Sequence, residues 1–97
     1  MTTEEQKQAL RDFARLEPKD SFIVLVIETY CTDARPHYRP LDASEAVSKQ
    51  IRIVKELLTT QAANAGREWY QSKEKQLQAL RALRDHYNAQ VYGATLF

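Results

Sequence analysis

Six consecutive large apolar residues, Phe22-Ile23-Val24-Leu25-Val26-Ile27, constrain this chain more than any other stretch. No second run of that kind occurs in the 97 residues, so the core must form around it. Val and Ile favour a pleated backbone, which argues for a strand. A strand would alternate Phe22, Val24 and Val26 on one face with Ile23, Leu25 and Ile27 on the other. With both faces apolar it would need cover on both sides and partner strands beside it. The one candidate partner is the tail 91–97, and Gly93 interrupts it. As a helix, Phe22, Ile23, Val24, Val26, Ile27, Tyr30 and Cys31 share one broad arc of about 200°. Ser21, Glu28, Thr29, Thr32 and Asp33 fall opposite, and Leu25 alone is out of place. Asp20 or Ser21 supplies an N-cap and Pro36 stops the element. The spacing predicts a buried helix over 21–33.

The flanking segments read as helices too. Thr2 or Thr3 caps a first helix, with Glu4 and Glu5 at its positive end and Ala9, Leu10, Phe13, Ala14 and Leu16 as its apolar stripe. It runs over 3–17 and stops before Pro18, and the short connection folds it back on the central helix. Pro36 and Pro40 keep the segment 32–41 extended. A third helix, 42–64, starts at Asp42 or Ser44, with Asp42 and Glu45 spaced as a capping box. Its seam is Val47, Ile51, Val54, Leu58 and Ala62, widened by Ile53 and Leu57. Asn64-Ala65-Gly66 breaks the helix, Gly after Asn being a favoured C-terminus. A fourth helix over 67–92 places Trp69, Leu77, Leu80, Leu83, Tyr87 and Val91 on one face and ends at Gly93, before the apolar tail 94–97. The seams of the third and fourth helices stay in phase through Trp69, so one continuous helix from about 42 to 92 is the alternative; its uncovered seam would demand a dimer. The expectation is one all-α domain over 1–97, a bundle of about four helices.

Two glycines and three prolines argue against a loop-rich or all-β chain. A net charge of +1 gives no overall attraction to nucleic acid or to an anionic membrane, so any such binding needs a local patch. The apolar run is too short to span a bilayer. The acidic start is unlike a secretory signal, and the single cysteine, Cys31, rules out an intrachain disulfide and fits a reducing compartment; a cytoplasmic protein is expected.

Catalytic readings find little support. Glu28 beside the apolar run could serve as a general acid or base, but it falls on the polar arc. Cys31 with His37 or His86 lacks a glycine-rich oxyanion turn, and Cys31, Asp33 and His37 match no zinc spacing. Two isolated glycines build no phosphate loop. No enzymatic activity, cofactor or metal is expected.

Candidate binding residues lie elsewhere. The proline-stiffened loop carries Arg35, His37, Tyr38 and Arg39, residue types suited to contact hot spots, and stiffness lowers the entropy lost on binding. A loop of fixed shape with Tyr38 packed inward explains the same residues. Tyr70 and Tyr92 fall outside the fourth seam, as surplus aromatic surface. Lys49, Arg52 and Lys55 form a basic stripe which, with Arg35 and Arg39, could follow a phosphate backbone; Glu45 and Glu56 dilute it, as expected of a solvated face, and Arg81 and Arg84 read the same way. The expected function is a small protein-interaction module, a regulator, inhibitor or adaptor of a larger protein assembly, with a homodimer also open. Nucleic-acid binding through Arg35, Arg39, Lys49, Arg52 and Lys55 is the alternative.

Overall fold

The apolar run is helical in the computed structural model, which describes residues 2–95. Four helices make up the chain: α1 (Thr3–Arg15), α2 (Phe22–Cys31), α3 (Pro40–Gln61) and α4 (Arg67–Thr95), with no strand among the described residues. Burial decides against strand propensity in α2. Ile23, Val24, Val26 and Ile27 are all buried, each side chain contributing about 1.5–3 kcal/mol, whereas β-branching disfavours a helix by only about 0.5 kcal/mol per residue.

The helices pack as a small bundle. α3 and α4 share the most extensive contact, α1 covers another face of α4, and α2 sits between α1 and α3. Ser44, near the start of α3, donates its hydroxyl to the side-chain carbonyl of Asn88, near the end of α4, so these two helices run antiparallel. They are separate, which excludes the single continuous helix. Their seams interlock Val47, Ile51, Val54 and Leu58 with Leu77, Leu80, Leu83 and Tyr87. α1 adds Ala9, Leu10 and Phe13 to the same core. The molecule is elongated, 48 Å by 26 Å by 24 Å.

Several boundaries differ from those expected, each for a local reason. Thr2 caps α1 by accepting from the Glu5 amide at 3.2 Å. The helix ends at Arg15 rather than at residue 17, so Leu16, expected on the stripe, is 69% exposed. Ser21 occupies the N-cap of α2, but its hydroxyl makes no capping bond and has no protein partner. α2 stops at Cys31, earlier than Pro36 requires, because Asp33 takes a left-handed backbone with φ 54°. Thr29 is buried, not on a polar face, and Phe22 is half out of the apolar arc assigned to it.

α3 begins at Pro40, two residues before Asp42. Proline is pre-set for the first helical position, where its missing N–H is no loss. Asp42 does not close a capping box with Glu45; its carboxylate is held by Arg39 at 2.9 Å through two bonds. α3 ends at Gln61, and Ala62 is outside the seam. Gly66 does not adopt the left-handed C-terminal geometry; its carbonyl instead accepts from the Tyr70 amide and opens α4. Gly93 does not end α4, which continues to Thr95; one glycine within a long helix costs about 1 kcal/mol, too little to break it. Of the expected apolar tail, Leu96 and Phe97 lie outside the described residues.

Two polar residues share the buried face of α4. Lys73 is 8% exposed and donates from Nζ to Gln76 Oε1 at 3.1 Å, and Gln76 Nε2 donates to Ser72 Oγ at 3.3 Å. Burial pushes the Lys73 ammonium below its ordinary value, opposed by the charge of Glu17. The unfolded chain therefore binds more protons at this group than the folded one, and stability rises with pH up to the ordinary lysine range. In denaturant unfolding, wild-type stability should gain on that of Lys73→Met as pH is raised from neutral toward that range. A gap independent of pH contradicts the burial of the charge. Leu80→Ala should lower stability by about 2–5 kcal/mol, while Leu25→Ser, at a half-exposed position, should lower it by only about 1 kcal/mol.

Candidate functional site

The loop between α2 and α3 is tied at both ends, by Lys7 of α1 at 3.8 Å from the Asp33 carboxylate and by Arg39 on Asp42. Tyr38 turns inward: its hydroxyl meets that of Tyr87 at 2.7 Å, and its ring contacts the Phe22 ring edge-on at 5.4 Å. Burial, reinforced by the bond to Tyr38, pushes the Tyr87 phenol well above its ordinary value. Arg35 and His37 point to solvent, and Arg39 is exposed but engaged with Asp42, whose carboxyl that hydrogen bond holds below its usual range. The loop thus presents Arg35 and His37 from a backbone anchored by Tyr38.

The remaining candidates scatter. Tyr70 is half-buried against the core, and Tyr92 is 67% exposed on the last turns of α4. Lys49, Arg52 and Lys55 are exposed on α3. Of these, Arg52 and Lys55 line a groove with Arg84 of α4, the hydroxyl residues Ser44 and Ser48, and the carboxylate of Glu45. Among the described residues neither Arg52 nor Lys55 forms an ion pair, while Arg84 approaches Asp85 at 3.6 Å. Lys49, Arg35 and Arg39 do not line this groove.

Two clefts were not read from the sequence. One holds Tyr30, Asp33, Pro36, His86 and Tyr87, with His86 edge-on to both Tyr30 and Tyr87 at 5.2 and 5.0 Å and hydrogen-bonded to Gln90 at 3.0 Å. The other, of about 560 Å³, runs between α1 and α2. It takes Glu28 and Cys31 but no histidine, so neither of the two catalytic pairings considered above is assembled there. The Cys31 thiol lies 3.8 Å from the Lys7 carbonyl, and burial raises its pKa against the opposing charges of Arg11 and Lys7. Among the described residues no group of His, Cys, Asp or Glu is gathered to hold a metal ion, and no helix is long and apolar enough to cross a membrane.

The exposed apolar side chains belong largely to α2 and α3. Leu25 and Phe22, one turn apart on α2, are 49% and 39% exposed, and Leu41 and Ile53 of α3 are comparably open. Sequence periodicity flagged Leu25 as misplaced but not as a surface feature. No protein-family model matches this chain, and neither does any curated protein or solved structure.

The Tyr38–Tyr87 contact is the anchor of the loop and can be tested by itself. Tyr38→Phe leaves the buried Tyr87 hydroxyl without its partner and should cost about 1–3 kcal/mol. The Tyr38→Phe/Tyr87→Phe double variant should recover part of that loss. Additive effects in the double-mutant cycle would show that the hydroxyls are not coupled.

Proposed function

We propose that this chain is a small non-enzymatic interaction module, cytoplasmic, that binds a larger protein assembly and modulates it. The supporting observation is the outer side of α2. The most apolar helix in the chain leaves Phe22 and Leu25 in contact with water, one turn apart, on the element around which the core is built. Single exposed apolar residues are ordinary on a protein surface. Here they adjoin the proline-stiffened loop through the Phe22–Tyr38 ring contact, and that loop carries the exposed Arg35, His37 and Arg39, the last bound to Asp42. An apolar centre beside polar and charged side chains is the composition of a protein–protein contact. Tyr92 is a second contact position, and Tyr70 contributes by its exposed part. The buried lone cysteine suits a reducing compartment.

A second reading rests on the α3–α4 groove. Arg52 and Lys55, which make no ion pair among the described residues, converge there with Arg84, three cations against the one carboxylate of Glu45, which suits the phosphate backbone of a nucleic acid.

A tagged chain used to capture partners from lysate, with and without nuclease, separates the two. The interaction reading expects a stoichiometric protein that survives nuclease and is lost with Leu25→Glu, a variant whose circular dichroism should match wild type. Self-association of the pure chain, removed by the same substitution, would make a second copy the occupant instead. Nucleic acid in the eluate, with affinity that falls steeply as salt rises and is weakened by Arg52→Glu/Arg84→Glu, would replace the interaction reading with the second one.

A further inference from the structure

The groove between α1 and α2 differs from the other clefts in having an apolar floor and one cationic wall. Ala14, with the edges of the otherwise buried Val24, Ile27 and Cys31, forms the floor. Arg11 and Arg15 of α1, with Lys19 from the turn, form the wall on one side. The opposite wall carries Glu28 and Thr32, one turn apart on α2. The charge on the cationic wall is largely uncompensated. Among the described residues Arg11 and Lys19 make no ion pair. Arg15 meets only Asp12, at 3.3 Å, with both groups well exposed, a pairing worth less than about 1 kcal/mol and easily exchanged. At the floor the Arg11 and Lys7 charges oppose the effect of burial on Cys31, while Asp33, 3.8 Å from Lys7, and Glu4 act with it, so Arg11 is the cation there without an ion pair among the described residues.

Spacing says what shape fits. Arg11 and Arg15 stand four residues apart, about 6 Å along the helix. Carboxylates at positions i and i+4 of a helix lying alongside have the same repeat. α2 is about 15 Å long, room for roughly three turns of such a helix, and Leu25, one turn before Glu28, extends the apolar surface past the rim. We infer that the α1–α2 groove seats an acidic amphipathic helix of the partner protein, its apolar stripe on the floor and its carboxylates against Arg11, Arg15 and Lys19. The inference rests on the interaction reading above and names the partner's chemistry. It uses the helix-in-groove mode of recognition, in which the apolar stripe supplies affinity and flanking charges set orientation and partner choice.

The test uses the full ¹⁵N-labelled chain and two synthetic helical peptides of about three to four turns. They share one leucine stripe and differ only in glutamate or lysine at the flanking positions. The acidic peptide should shift the amides of Arg11, Ala14, Val24, Cys31 and Thr32 and bind about tenfold tighter than its lysine twin, three exposed ion pairs being worth about 1.4 kcal/mol together. Arg11→Gln/Arg15→Gln/Lys19→Gln should abolish the preference, and Arg11→Glu/Lys19→Glu should reverse it, both with wild-type amide dispersion. Equal binding of the two peptides, shifts centred on Arg52, Lys55 and Arg84, or no binding of either would overturn the assignment. Dodecanoate shifting the groove amides where the acidic peptide does not would also overturn it, in favour of an anionic acyl ligand. A captured protein partner retained in full by the glutamine variant would remove the groove from the account and leave the interaction reading standing.

Discussion

Covering α2 is the constraint on which the rest of the structure depends. A ten-residue helix with buried side chains at Ile23, Val24, Val26, Ile27, Thr29 and Cys31 has apolar surface over most of its circumference, more than one neighbouring helix can cover. α1 and α3 flank it on two sides. The α3–α4 hairpin then supplies depth behind it, with Leu80, Leu83 and Tyr87 closing the core. Each later feature follows from that demand. α3 must start early enough to reach α2, which Pro40 permits, and the loop before it must be fixed, which Tyr38 does by bonding Tyr87. What remains uncovered is the outer strip of α2, and there the chain presents Leu25 and Phe22 to water.

Much of this architecture was legible because it follows from burial pattern. The seams Val47–Ile51–Val54–Leu58 and Leu77–Leu80–Leu83–Tyr87 repeat at helical spacing and are buried. Periodicity also held the information on Lys73, which sits between Trp69 and Leu77 at the four-residue spacing of that seam; its charge masked it, although a long apolar stem lets lysine lie along a core. Helix ends were read less well, because they turn on local competition. Asp42 could cap a helix or bind Arg39, and it binds Arg39. Gly66 could close α3 in a left-handed turn or open α4, and it opens α4.

The surface was the least legible part. A sequence places Arg52 and Lys55 on one face of α3, but only the packing of α3 on α4 brings Arg84 beside them. Likewise Arg11 and Arg15 lie outside the apolar stripe of α1 and line a groove only once α2 is laid against it, with Lys19 at the turn. Both grooves are products of pairing two helices, and neither exists within a single one. Tyr38 shows the converse. It read either as a contact residue in a stiff loop or as packed inward, and its hydroxyl and ring engage Tyr87 and Phe22, so what it offers outward is the fixed position of its neighbours Arg35 and His37.

α2 is core on one side and exposed to water on the other. Methyl-resolved paramagnetic relaxation by an inert, water-soluble spin label measures this directly on the free protein. Strong enhancement is expected at the Leu25 methyls, as at the exposed Ile53, with Val26 and Ile27 protected as fully as Leu80. Leu25 methyls as protected as those of Val26 would contradict it, because α2 would then be covered on every side in solution and would have no open face to offer.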